Sequence, residues 1–212
     1  MTNTTAIAAL TALDSVTLEV ADVEAAHRFY SAAFGLDDRL RLRATDTPST
    51  GFRGFTLSLT VARPGNVDAY FAAAVAAGAT VLKPAGKSLW GYGGSLQAPD
   101  GTIWKIATSA KKDSGPAVRE FEEFVLLIGV ADVTATKKFY VERGLTVAKS
   151  FGKMYVEFAA EGGRVKLGLY RRKALAKDAG VPAEGGGSHR LVIGGAPAAF
   201  TDPDGFAWAP AL

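Results

Sequence analysis

Ser15-Val-Thr-Leu-Glu-Val-Ala-Asp-Val-Glu-Ala-Ala-His-Arg-Phe-Tyr30 aligns without a gap with Val125-Leu-Leu-Ile-Gly-Val-Ala-Asp-Val-Thr-Ala-Thr-Lys-Lys-Phe-Tyr140. Val-Ala-Asp-Val is identical at 20–23 and 130–133, as are Ala25 and Ala135 and the two Phe-Tyr pairs. Each copy then reaches Gly-Leu, at Gly35-Leu36 and Gly144-Leu145. A second block recurs late in each copy, Pro99-Asp-Gly-Thr-Ile-Trp104 and Pro203-Asp-Gly-Phe-Ala-Trp208. Two blocks in one order at similar separation make an internal repeat, and a repeat governs any reading of domain number.

The repeated stretch has a physical form. Residues 15–20 alternate, with Val16, Leu18 and Val20 on one face and Ser15, Thr17 and Glu19 on the other, which predicts a half-buried strand. Asp22 suits a helix N-cap. Val23, Ala26, Phe29, Tyr30 and Phe34 then follow at helical spacing up to Gly35. Strands are expected at 39–45 and 54–62, a helix capped by Asn66 at 67–77, and further strands at 80–84, 89–97 and 102–108. Ala98-Pro-Asp-Gly101 reads as the tight turn before the last of these. The polar stretch 109–119 reads as a linker. The expected organisation is an N-terminal extension at 1–12, one domain at 13–109, a linker at 110–118 and an abridged second domain at 119–212. That second copy has no counterpart to the helix at 67–77. It carries a loop through Ala174–Gly187 and one strand at His189–Ile193, so its cup should be more open or closed by something else.

Composition excludes several classes. Hydrophobic residues are 48% of the 212 and charged residues 21%, enough to bury a core. With no cysteine, neither a disulfide framework nor a thiolate metal site can form. The Ala/Thr-rich N-terminus lacks the basic start of a signal peptide. No apolar run approaches the roughly 18 residues of a membrane helix. A cytoplasmic protein without a membrane partner is expected. The net charge of +3 is concentrated in runs such as Lys111-Lys112 and Arg171-Arg172-Lys173. Such runs read as solvated segments, an acidic partner or ligand being the alternative. Nucleic acid is not an expected partner, because no dense basic stripe with interleaved aromatics is visible. Phosphate-loop, dinucleotide, nucleophile-elbow and His-Glu-x-x-His patterns are also missing.

The strand-Val-Ala-Asp-Val-helix-Phe-Tyr-Gly-Leu opening and the Pro-Asp-Gly-x-x-Trp closing hairpin resemble the vicinal oxygen chelate superfamily. That superfamily includes glyoxalase I, bleomycin- and fosfomycin-resistance proteins and extradiol dioxygenases. The resemblance covers about residues 14–210. It implies an α+β fold of tandem glyoxalase-like domains, built from paired βαβββ modules as curved mixed sheets around a cavity. Metal-using members place ligands at four cavity-facing positions, which need His, Glu or Gln side chains. Carried onto this chain, those positions fall on Ser15 and Lys105 in the first copy and on Val125 and Ala209 in the second. Neither Thr56–Leu59 nor Val165–Tyr170 adds a ligand. His189 alone is of ligand type. No cofactor is therefore expected, a divalent metal being the disfavoured alternative.

His189 could ligate a metal, act as a base near neutral pH, or hold a strand end. His27 reads as a surface helix residue. Trp104 and Trp208 alternate with the cavity-facing Lys105 and Ala209, so they should be core. The expected ligand-binding set is Ser15, Thr17, Glu19, Trp90, Tyr92 and Lys105, with Trp90 and Tyr92 placed to stack on a planar molecule. A Glu19–Lys105 pair is expected, as structural ion pair or proton-transfer couple. Glu19 and His189 are the catalytic candidates. The preferred function is metal-independent binding of a small, partly planar organic molecule in the first cavity, by a monomer or homodimer. An enzyme of the same superfamily (lyase, isomerase or dioxygenase) and a protein-interaction module are the alternatives.

Overall fold

The computed structural model describes residues 9–35, 37–160 and 162–210. Residues 1–8 of the N-terminal extension and Leu36 of the first Gly-Leu pair lie outside the described residues.

Strand β1 (Ser15–Val20) buries Val16, Leu18 and Val20, as its alternation requires. Asp22 caps α1 (Val23–Ala33) by accepting from the Ala25 N–H at 2.8 Å. The strands β2 (Leu40–Ala44) and β3 (Ser49–Gly51) lead into a complete βαβββ unit. It comprises β4 (Phe55–Thr60), α2 (Pro64–Ala76), β5 (Thr80–Ser88), β6 (Gly91–Gln97) and β7 (Ile103–Thr108). The helix α2 starts earlier than the sequence predicts, because Pro64 fits a first turn. Asn66 is inside it rather than at its cap, and its side-chain oxygen accepts from Arg63 Nε and the Val118 N–H. A second unit follows: β8 (Glu123–Val130), α3 (Val133–Glu142), β9 (Val147–Phe151), β10 (Tyr155–Phe158) and β11 (Lys166–Arg171). The remainder is α4 (Arg172–Ala179), β12 (Gly185–Gly187), β13 (Leu191–Gly194), β14 (Phe200–Thr201) and β15 (Ala207–Ala209). None of the helices is long and apolar enough to cross a membrane, among the described residues.

The fold class is the expected one, α+β with mixed sheets, and both large sheets are completed by strand pairing across the two copies. An eight-stranded sheet runs β5-β6-β7-β4-β8-β11-β10-β9, and a five-stranded sheet runs β14-β15-β13-β1-β2. The first is joined by antiparallel pairing of β4 with β8, from Phe55 opposite Ile128 to Thr60 opposite Glu123. The second is joined by β1 and β13, Ser15 opposite Gly194. The reason lies in the unit itself. Each complete βαβββ unit pairs its first strand in parallel with its last (β4 with β7, β8 with β11) and leaves the other edge of that first strand bare. Two bare edges satisfy each other's backbone groups when they pair. The segments 13–109 and 119–212 thus share both large sheets.

The two sequence blocks recur because they touch. Tyr30 donates its hydroxyl to Asp100 at 2.8 Å, and Tyr140 donates to Asp202 at 2.6 Å. The equivalence is imperfect. In the second copy the partner is Asp202, while Asp204 of Pro-Asp-Gly accepts from the Thr136 hydroxyl and the Ala131 N–H. Trp104 and Trp208 are buried in the core as strand parity requires, and Trp208 Nε1 donates to the Tyr140 hydroxyl at 3.1 Å. Burial pushes the Tyr140 hydroxyl well above the ordinary tyrosine pKa, and burial likewise raises the Asp202 carboxyl.

Replacing Tyr140 by Phe leaves Asp202 and Trp208 Nε1 without their partner. The expected loss is about 1–3 kcal/mol in denaturant unfolding. Asp202 also sets a pH signature. A carboxyl raised in the fold contributes stability that is complete below its unfolded pKa and lost as pH rises through the folded one. Asp202→Asn should therefore gain on the parent protein as pH climbs through the acid range, read from melting temperatures.

Candidate functional site

On the eight-stranded sheet, register places Thr56, Ser58, Ile103, Lys105, Val125 and Leu127 on one face, with Trp104 and Leu57 on the other. The Trp104 side packs toward α2. The opposite, inner face holds α4. Leu175, Ala176 and Ala179 of α4 are wholly buried in a cluster with Ile103 and Phe52, against which Leu127 packs. Gly129 makes the approach possible, because a Cβ there would stand 3.0 Å from Arg172 Cα and 3.0 Å from the Gly54 carbonyl. The segment expected to be a loop from 174 to 187 is thus a helix at its start and a strand at its end.

The C-terminal end of α4 is fastened to the sheet by polar residues. Lys83 Nζ donates to the carbonyls of Lys177 and Asp178 at 2.6 and 2.8 Å, and Ser95 Oγ donates to that of Ala179 at 2.7 Å. Lys105 forms an ion pair with Asp178. Cations at a helix C-terminus are favourable because they face its unpaired carbonyls. Gly180, in the left-handed conformation at φ 87°, ends the helix. Beneath α4, Thr56 Oγ1 and Ser58 Oγ are buried without a hydrogen-bond partner.

The structure separates the six expected ligand-binding residues into two groups. Ser15, Thr17 and Glu19 are on the five-stranded sheet. Ser15 is buried against Gly194, where an added Cβ would lie 2.4 Å from Ser15 Oγ. Glu19 pairs with Arg43 across β1 and β2, so the expected Glu19–Lys105 pair does not form: the two residues are on different sheets. Trp90, Tyr92 and Lys105 do meet. They line one cavity of about 360 Å³ together with Lys83, Lys87 and Asp178. Trp90 is 87% exposed at its rim, beside the equally exposed Leu89. Tyr92 turns its hydroxyl outward to Asp68 on α2, and that hydrogen bond raises its pKa. His27 is exposed on α1. His189 stacks on Phe206 at 3.9 Å between ring centroids, and its two ring nitrogens meet the carbonyls of Arg53 and Asp204. Sequence reasoning missed Asp178 and Lys83. The signal available was the apolar triplet Leu175, Ala176 and Ala179 at helical spacing, obscured by the three basic residues before it.

No protein-family model matches the chain, and no curated protein matches it in sequence. Solved structures do. Glyoxalase I from Zea mays superimposes with a TM-score of 0.62 over 94% of this chain and 91% of its own, at 15% identity. This chain has the vicinal oxygen chelate fold. A Bacillus subtilis protein provisionally assigned as a dioxygenase gives 0.53 over 94% of this chain and 73% of its own, at 12% identity. At these identities the likeness concerns the fold.

The residues present do not fit the metal that some members of this fold family use. The carried positions hold Ser15, Lys105, Val125 and Ala209. A lysine there repels a cation, and this one is engaged with Asp178. Both His189 nitrogens already face carbonyls. No group of three or more His, Cys, Asp or Glu side chains is disposed to hold a metal, among the described residues.

Gly129→Val should unseat α4, because its side chain would stand where the helix backbone runs. We expect destabilisation of about 1–3 kcal/mol. Hydrogen exchange should speed at the Ala176–Gly180 amides while those of β4 and β8 keep their protection.

Proposed function

We propose that the protein binds a small, partly planar organic anion, without a metal, in the cavity at Trp90. The observation that carries this reading is the meeting of Trp90, Tyr92 and Lys105 in one cavity with two further lysines and a single carboxylate. Lys83 and Lys105 are committed to α4, which leaves Lys87 to meet a ligand's negative charge. An indole face in water at a cavity rim gains from stacking on a flat partner and loses little on being covered. Gly86, where an added Cβ would meet nothing nearer than the Pro84 carbonyl at 3.9 Å, keeps one wall low, so a flat molecule can approach the backbone. The absence of a fitting ligand set among the carried positions supports binding without a metal. The poor supply of acid–base groups supports binding rather than turnover, since His189 is held between carbonyls and Glu19 is on the other sheet.

Trp90 is the exposed tryptophan, while Trp104 and Trp208 are buried, so quenching of red-shifted emission reports on this cavity. Titration with a panel of aromatic carboxylates should give saturable quenching that survives chelator treatment. Trp90→Ala should abolish it. Lys87→Ala should weaken binding about tenfold, the usual scale for one charge-assisted contact. No saturable ligand in the panel, or an affinity unchanged in Trp90→Ala as read by calorimetry, would remove the basis for this reading.

A further inference from the structure

The basic run Arg171-Arg172-Lys173 is more than a solvated segment. It stands at the junction of β11 and α4 and lines a cleft of about 580 Å³ together with Val130 and Met154. This cleft lies apart from the cavity at Trp90 and shares no lining residue with it. A hollow of about 670 Å³ beside α1 is lined by Asp22 and Asp100 as well as Arg28 and Arg190 and so favours no charge. The cleft at the start of α4 is different: every charged residue that lines it is a cation.

Those cations are not equivalent. Arg172 is fixed. Its Nη2 donates to the Phe52 carbonyl at 2.5 Å and its Nε to that of Ala183 at 3.2 Å, and its guanidinium lies over the Phe52 ring at 5.2 Å. Arg171 and Lys173 are exposed, and neither side chain makes a hydrogen bond or ion pair among the described residues. Asp132, whose pKa is lowered chiefly by backbone hydrogen bonds and to a lesser degree by Lys153 and Arg171, spends its carboxylate on the N–H groups of Thr134 and Ala135. Three like charges around one hollow repel each other, and the two exposed ones have donors to spare. Met154, 44% exposed, gives the same hollow an apolar wall together with Ala131 and Ala174.

We propose that this cleft binds a small organic dianion, with its charged group between Arg171 and Lys173 and its hydrocarbon part against Met154. Two negative charges match two unpartnered cations, and the guanidinium can take two oxygens of one group side by side. The fixed charge of Arg172 adds attraction without a further ordering cost. The site is independent of the reading at Trp90 and stands or falls separately.

Phenyl phosphate and inorganic phosphate are suitable probes, titrated calorimetrically into the full chain at low ionic strength. Saturable binding is expected, with phenyl phosphate tighter by about threefold or more through its apolar contact. Arg171→Ala with Lys173→Ala should weaken phenyl phosphate at least tenfold. Both residues are exposed, so the double variant should retain its circular dichroism and melting temperature. Met154→Ala should reduce the preference for phenyl phosphate over phosphate. Trp90→Ala should leave both affinities unchanged. Absence of saturable binding, undiminished affinity in the folded double variant, or binding lost in Trp90→Ala instead would each overturn the assignment.

Discussion

A sheet buried on one face by helices still has a second face, and its cover decides what the protein can do. In the eight-stranded sheet the inner face presents Ile103 and Leu127, which are apolar, beside Ser58, Ser95 and Lys105. Leaving such a surface in water forfeits the hydrophobic gain of burying it. The chain answers with α4, which lays Leu175, Ala176 and Ala179 over the apolar part and turns its C-terminal carbonyls to Lys83 and Ser95. Everything near the candidate site follows from that placement. Lys105 faces Asp178, Gly129 has no room for a side chain, and the open space is displaced outward to Trp90.

The same chain shows why its repeat is uneven. At equivalent positions the first copy has Glu19 and the second has Gly129. Glu19 reaches across its sheet to Arg43. Gly129 admits α4. One position, occupied by a long charged residue or by none, thus separates the two sheets. The Tyr–Asp contacts show the opposite tendency. Tyr30 with Asp100 and Tyr140 with Asp202 preserve one interaction although the acidic residue shifts within its turn. A buried hydroxyl must find an acceptor, and the backbone around it can vary while that demand holds.

Much of the fold was legible because it rests on short-range pattern. The alternation at 15–20, the cap at Asp22, the burial of Trp104 and Trp208 and the α+β class follow from periodicity and from the repeated blocks. Strand partnership was not legible, because a bare edge on β4 carries no mark that says whether β8 or a strand of its own copy will fill it. The helix α4 escaped because eight residues with two basic ones at the front give little hydrophobic periodicity. The candidate site divided along the same line. Trp90 stands in the turn between β5 and β6, and Tyr92 and Lys105 are on the adjacent strands β6 and β7, so local register brought them together. Glu19 belongs to a sheet whose placement depends on long-range pairing, and parity alone could not show that it faces a different space.

The helix in the inner face also has the standing of a ligand. It follows β11 without an intervening residue, since Arg171 ends the strand and Arg172 begins the helix. A group tethered so closely presents itself at an effective concentration in the millimolar range or above. A dissolved molecule seeking the same face competes against that concentration at every moment, and only one that binds far more strongly than α4 itself would prevail at ordinary cellular levels.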